Sequence, residues 1–280
     1  MIDQYLKDKV VIVTGANSGM GKIIATELAK KGCTLIMVCR VREKPNVALN
    51  EVSSQSKNPN IDLMTTDLSS QKEIRILAEN IKAKYPKVDI LINNAGCMSF
   101  GYEETSEKIE RTFATNHLAY FLLTNLLLPN LKESEDPRII NVASNASDSA
   151  KINWEDLNLK NNYSTFKAYA QSKLANIMFT YELAKREPSI KVNCVHPGNI
   201  PNTKLGQGSN IFKNYIDSIP SHLILTPEEG ADTSIWLATT KLETTGKYFH
   251  KKEQIKSNPI SYDQEQTKKL WEVSEKLTDL

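Results

Sequence analysis

Apolar positions along this chain fall into two alternating kinds of run. Six short runs are apolar almost throughout: Lys9–Thr14, Thr34–Cys39, Ile61–Thr66, Val88–Asn93, Arg138–Ala143 and Ile190–Val195. Runs of that length without polar alternation predict strands covered on both faces. Between them lie longer stretches with helical spacing, at Gly21–Lys31, Glu43–Ser56, Ser70–Lys84, Glu107–Leu131 and Tyr163–Arg186, the last closed by Pro188. Strand–helix alternation predicts βαβ units and a parallel sheet, and right-handed crossovers put helices on both of its faces. The expectation is a doubly wound α/β fold. With no repeat, low-complexity tract or linker, residues 1–280 read as a single domain. Beyond the sixth run, His196–Asn210 is rich in Gly, Pro and Asn and predicts irregular backbone. Thr226-Pro-Glu-Glu229 then opens a further helix as a capping box with proline at its first position. A short strand near Lys247–Phe249 and a polar helical tail complete the pattern.

Composition narrows the function classes. The 280 residues carry a formal charge of only +2, with 40% hydrophobic and 24% charged residues. That balance argues for a globular chain and against a nucleic-acid partner, which needs Lys and Arg concentrated on one face. Cys33, Cys39, Cys97 and Cys194 are scattered without a C-x-x-C pair, so neither a disulfide framework nor a metal site is suggested. The N-terminus lacks a signal-peptide pattern, and the apolar Leu118–Leu128 segment is too short to span a bilayer and is broken by Thr124 and Asn125. The expectation is a reduced, cytoplasmic protein with no transmembrane span, in which the sequons at Asn145 and Asn162 are idle.

The first strand runs into Thr14-Gly15-Ala16-Asn17-Ser18-Gly19-Met20-Gly21, and a helix follows. Glycines at 15, 19 and 21 let backbone approach a pyrophosphate, with Asn17, Ser18 and Met20 beside it. The helix N-terminus supplies amide donors and partial positive charge. A glycine triplet alone is weak evidence, but between a first strand and a helix it marks a dinucleotide site. At the end of the second strand, where an acid would bind the 2′-hydroxyl of NAD, stands Arg40, with Arg42 close behind. Arginine there suits a 2′-phosphate and favours NADP(H). Asp67, with Leu68, either accepts from the adenine amine or belongs to a helix N-cap region with Ser69 and Ser70. Asn94, Ala95 and Gly96 end the fourth strand at the same carboxyl edge, where such sheets bind ligands.

Tyr169 and Lys173 are spaced i, i+4 and share one helix face. A phenol titrates near ~10, so it needs a neighbouring cation to exchange protons near neutrality. Ser144, after the fifth strand, would fix a substrate oxygen. The glycine turn, Asn93-Asn94-Ala95-Gly96, Ser144, Tyr169-x-x-x-Lys173 and Pro197-Gly198 together resemble the short-chain dehydrogenase/reductase family over nearly the whole chain. Tyr169–Ile177, His196-Pro-Gly-Asn199 and the tail Leu270-Trp-Glu-Val-Ser274 are similar to its retinol-dehydrogenase-like and WW-domain-containing-oxidoreductase-like branch. The resemblance implies a Rossmann fold and Tyr169 as the proton donor and acceptor. It also implies Lys173 holding the nicotinamide ribose, Asn116 holding a relay water, and Pro197, Gly198 and Ile200 beside the nicotinamide. By the same analogy, the helices at Glu107–Leu131 and Tyr163–Arg186 would pair in a homodimer.

Two features depart from the family pattern. The insertion Asn145–Thr165 carries Trp154 and is expected to shape the substrate pocket. The threonine that usually meets the carboxamide is displaced to Thr203 by Pro201, leaving that contact to Thr203 or to the Ile200 backbone. Residues 199–226 combine Gly206, Gly208 and Asn210 with apolar Ile211, Phe212, Tyr215, Ile216 and Ile219 on one helical face, which reads as a lid or as a helix packed on the core. The resulting expectation is hydride transfer between NADP(H) and a lipophilic alcohol or carbonyl. The alternatives are a catalytically silent NADP(H)-binding scaffold and a peripheral membrane enzyme.

Overall fold

The computed structural model describes residues 6–40, 45–201, 205 and 210–280. In chain order the elements are β1 (Val10–Thr14), α1 (Gly19–Lys30), β2 (Thr34–Cys39), α2 (Pro45–Ser56), β3 (Ile61–Thr65), α3 (Gln71–Lys84) and β4 (Ile90–Asn93). A short α4 (Arg111–Phe113) passes through one π-helical turn at Ala114–Leu118 into α5 (Ala119–Lys132). Then come β5 (Arg138–Val142), α6 (Thr165–Arg186), β6 (Lys191–Val195), α7 (Asn210–Asp217), α8 (Pro227–Thr239), β7 (Lys247–His250), β8 (Glu253–Ile255) and α9 (Gln264–Thr278). One sheet holds them in the order β3-β2-β1-β4-β5-β6-β7-β8. Every pairing is parallel except β7 with β8. The doubly wound α/β expectation holds.

The near-continuous apolar runs have a simple cause. In β1, Val11 and Val13 join the core beneath α1, α2 and α8, whereas Ile12 joins the core beneath α3 and α5. The same period of two divides Leu35, Met37 and Cys39 from Ile36 and Val38 in β2. Both faces are covered, so both sets must be apolar. At the sheet edge β3 is only half-buried, and its sequence correspondingly admits Asp62.

Two expectations need correction, and one strand was not anticipated. The long helix does not begin at Glu107. The buried Glu110 carboxylate accepts the amides of Thr112 and Phe113 at 2.8 and 2.7 Å, which starts the helix at Arg111. The insertion does not bring Trp154 to the substrate side, because its ring packs with the cluster around Ile109 and Leu174, with the Lys269 ammonium 4.5 Å from its centroid. The three-residue, polar β8 carried no strand signal. The capping box at Thr226 forms as expected, with Glu229 N–H donating to Thr226 Oγ1 at 3.1 Å and Thr226 N–H to Glu229 Oε2 at 2.8 Å.

The tail helix explains the dimer expectation as well. Trp271 of α9 meets Phe121 and Phe179 at centroid distances of 4.9 and 5.8 Å, and the Arg186 guanidinium lies 4.3 Å from its ring. Residues Gln171 to Ala184 of α6 are buried throughout. On α6, part of the helix assigned to a second copy is packed against α9 of the same chain. Among the described residues no helix is long and apolar enough to cross a membrane.

His117, in the π-helical turn, pins α9 to α6. Its Nε2 lies 2.9 Å from Ser274 Oγ and its Nδ1 3.3 Å from Asn176 Oδ1. Burial holds its pKa down to about 4 against an ordinary 6.5, despite the Asn176 contact, and burial beside His250 holds His196 down to about 3. Between the two values the unfolded chain binds a proton that the folded chain refuses, so stability falls as pH drops from about 6.5 towards 4. Calorimetric melts from pH 7 to 4 are expected to show a falling midpoint with a shallower slope in His117→Gln. Equal slopes for the two proteins would refute the neutral, buried role of His117.

Candidate active site

The site grows from one packing constraint. Thr14 ends β1, and its hydroxyl accepts the amides of Asn94 and Ala95 at 2.9 and 3.0 Å. The Asn94 side-chain amide returns the contact by donating to the Thr14 carbonyl at 2.8 Å. The turn between β1 and α1 is thereby pressed onto the end of β4. Gly15 adopts φ +68°, and a Cβ there would sit 2.9 Å from Ala95 Cα. A Cβ on Gly21 would collide with the Gly15 carbonyl and the Asn94 side chain. Gly19, at φ +51°, is different: nothing lies within 4 Å of where its Cβ would project. At that opening Ser18 is the N-cap of α1 without a side-chain cap bond, and the helix has no acidic residue in its first turn. An anion with close access to helix amides fits this cradle.

A cavity of about 960 Å³ opens along this carboxyl edge, near the top of the roughly 300–1,000 Å³ range of ligand pockets. Its wall contains Gly15, Asn17, Ser18, Gly19, Met20 and Gly21 of the turn, Arg40 after β2, Asp67 and Leu68 after β3, and Asn94, Ala95 and Gly96 after β4. Ser144, Tyr169, Lys173, Pro197, Gly198 and Ile200 complete the set read from sequence. Asn116 is the exception. Its Oδ1 accepts the Cys97 amide at 2.8 Å, and its Nδ2 donates to the Cys97 carbonyl and to Ser172 Oγ, both at 3.0 Å. Asn116 thus anchors the strand end behind the site. Thr203 and Arg42 lie outside the described residues, as do the side chains of Ile211, Phe212 and Tyr215 and the glycines at 206 and 208. Ile216 and Leu205 of that segment line the cavity.

Lys173 is the electrostatic centre. It is 3% exposed, its Nζ donates to the Val142 carbonyl at 2.9 Å, and it stands 5.6 and 5.7 Å from the Tyr169 and Tyr120 ring centroids. Burial lowers its pKa to about 8, against a small opposing influence of Cys97. An ammonium so placed favours the phenolate of a neighbouring tyrosine. Ser144 lies at the start of a short 3-10 turn, where its hydroxyl accepts Ala146 N–H at 3.2 Å and donates to Asn145 Oδ1 at 3.3 Å. It therefore caps a turn and faces the cavity at once.

At the other end, burial disfavours the Asp67 carboxylate, but the Ser69 amide and hydroxyl at 2.9 and 2.7 Å, with Arg111 and Arg40 nearby, hold its pKa below the ordinary value. The helix cap itself is Ser70, not Asp67. Just beyond β6, Gly198 N–H donates to His196 Nδ1 at 3.1 Å. Gly230 leaves the space that the Ile200 side chain fills, where any Cβ would collide.

Sequence reasoning missed one wall. Met98, Ser99, Phe100, Gly101, Tyr102 and Glu103, with Arg111 and Phe166, face the same cavity. Met98, Phe100 and Tyr102, shortly after Gly96, were the available signal. Tyr163 Oη and Thr165 Oγ1 both donate to the Ser99 carbonyl, at 2.8 and 2.9 Å, so the loop is fixed to the start of α6.

Comparison with known proteins agrees with this geometry. The family model described as short chain dehydrogenase matches residues 9–213. Retinol dehydrogenase 13 of Homo sapiens is 40% identical over 97% of this chain and 85% of its own. Retinol dehydrogenase 12 of Bos taurus is 40% identical over 97% and 87%. Among solved structures, an uncharacterised protein from Mycobacterium paratuberculosis superposes with TM-score 0.79 at 30% identity, covering 98% of this chain and 94% of that one. An NADP active-site complex of Pseudomonas aeruginosa RhlG superposes with TM-score 0.71 at 26% identity, covering 89% and 96%. The family match over residues 9–213, with 40% identity to these retinol dehydrogenases over nearly the whole chain, makes the chain a member of the short-chain dehydrogenase family.

Proposed function

We propose that this protein transfers a hydride between NADP(H) and an alcohol or carbonyl carbon, on a lipophilic substrate of the retinoid, steroid or fatty-aldehyde kind. The observation that carries the reading is the buried Lys173 ammonium beside the Tyr169 ring, in the same cavity as the glycine cradle. NADP(H), when bound, supplies or accepts the hydride. Gly19, Ser18 and the first turn of α1 would hold the pyrophosphate, and Arg40 the 2′-phosphate. In carbonyl reduction Tyr169 Oη delivers a proton to the substrate oxygen, and in alcohol oxidation it removes one. Lys173 makes both directions accessible near neutrality by stabilising the phenolate. Ser144 Oγ holds the substrate oxygen in place by hydrogen bonding. Asn116 serves from behind, keeping Cys97 and the end of β4 in register. The relatives' names, Retinol dehydrogenase 12 and 13, support an apolar substrate. So does the wall of Met98, Phe100, Phe166, Leu205 and Ile216.

Tyr169→Phe is expected to abolish turnover while NADPH affinity stays within about twofold, because only proton transfer is removed. Stopped-flow turnover and a fluorescence titration separate the two, and substantial residual turnover would overturn the role of Tyr169. The parent should bind NADPH more tightly than NADH, and Arg40→Asp should reverse that order by replacing attraction with repulsion; equal affinities in the parent would refute the 2′-phosphate assignment. Across a series of aldehydes, kcat/KM should fall progressively as methylenes are removed. A preference for short polar carbonyls would exclude the lipophilic substrate.

A further inference from the structure

The adenosine end of the cavity contains a cation that the proposed mechanism does not use. Arg111 is the first residue of α4, and its place is fixed from several sides. Its amide donates to the Glu103 carbonyl at 2.9 Å, its carbonyl accepts from Cys97 Sγ at 3.9 Å, and Glu110 caps the helix it opens. One turn earlier, Glu107 Oε1 accepts the Gln71 amide at 3.1 Å, which ties this segment to the start of α3. The residues before α3 are Asp67 and Leu68, the shelf at the end of β3. Arg111 and Arg40 both act electrostatically on the Asp67 carboxylate, and all four residues line the cavity. Thr115 lines it too, four residues beyond Arg111.

The charges around Arg111 decide what it can meet. Its Nη1 lies 3.6 Å from Glu103 Oε2, another cavity residue, and its charge also acts on the Asp67 carboxylate. Two carboxylates already offset its charge, and they would repel a doubly charged phosphate brought close. A planar guanidinium still offers its face to an aromatic ring, and weak hydration makes that stacking favourable. The ring at this shelf, under the proposed function, is adenine.

We propose that Arg111 is an adenine-stacking residue, covering the ring above the Asp67–Leu68 shelf and setting affinity for NADPH and NADH alike without discriminating between them. Arg40 and Arg111 then divide the work: one reads the 2′-phosphate, the other grips the base.

The inference rests on the cofactor assignment, and the experiment keeps the two apart. Affinities of the full-length parent, Arg111→Ala and Arg40→Asp are measured by calorimetry for NADPH, NADH, 5′-AMP and nicotinamide mononucleotide, which lacks the base. Arg111→Ala is expected to weaken NADPH, NADH and 5′-AMP by a common factor of about five to thirty. The NADPH-to-NADH ratio and any binding of nicotinamide mononucleotide should stay unchanged. A loss confined to NADPH would make Arg111 a phosphate ligand, and a change under twofold would make it a surface ion pair; either result overturns the inference while leaving the cofactor assignment standing. A parent that binds none of the adenine nucleotides would overturn both. Arg111→Lys, which keeps the Glu103 ion pair but loses the planar face, should resemble Arg111→Ala; full affinity in that variant would also refute stacking.

Discussion

The β1–α1 turn is packed so tightly against the end of β4 that neither side can move or gain an atom alone. Gly21 has no room for a Cβ, Gly15 needs φ +68° and closeness to Ala95, and Thr14 closes the gap with hydrogen bonds to Asn94 and Ala95. The consequence runs outward in both directions. Because the turn is pressed inwards there, α1 starts at the carboxyl edge with its amides facing the cavity. Because Asn94 is held, Ala95 and Gly96 are placed, and Asn116 then fixes Cys97 through both ends of its carboxamide. A chain of short polar contacts thus links the cofactor cradle to the π-helical turn between α4 and α5.

That chain continues through the core. Asn116 donates to Ser172 Oγ, Ser172 Oγ donates to the Tyr169 carbonyl at 2.7 Å, and Asn176 Nδ2 donates to the Asn116 carbonyl at 2.9 Å. Asn93 and Asn141, both fully buried, bridge β4 to β5, and Asn141 passes the contact to Thr180 of α6. Buried polar groups are costly unless paired, so each link specifies one register of sheet and helix. The tyrosine and lysine of α6 are positioned against the sheet by these amides as much as by apolar packing.

How legible this was from sequence depends on the range of the interaction. The strands and most helices were readable because burial on two faces leaves a local signature, and the Tyr169–Lys173 pair because i, i+4 spacing is local. The glycine turn was readable because close contacts at Gly15 and Gly21 and the positive φ of Gly15 and Gly19 disfavour other residues. Long-range accommodations left no such trace. Nothing in Glu107–Glu110 announced that a buried Glu110 carboxylate would delay the helix by capping it at Arg111. The insertion Asn145–Thr165, which follows Ser144, does reach the cavity through Asn145 and Ala146, yet the chain carries the Trp154 ring to Lys269, more than a hundred residues away. The role of α9 as cover for α6 likewise depended on Trp271 finding Phe121, Phe179 and Arg186.

The same reasoning explains why the site holds a cation at its centre. A lysine 3% exposed costs folding free energy, and its lowered pKa expresses that cost. One carbonyl and two aromatic rings satisfy Lys173 only in part. A carboxylate partner would have stabilised it better, but would also have cancelled the field that favours the Tyr169 phenolate. Under the proposed function, an incompletely neutralised ammonium trades stability for proton transfer at Tyr169. Tight packing at β4 and the buried charge at Lys173 are two parts of one requirement: the charge can persist only where the surrounding backbone has nowhere else to go.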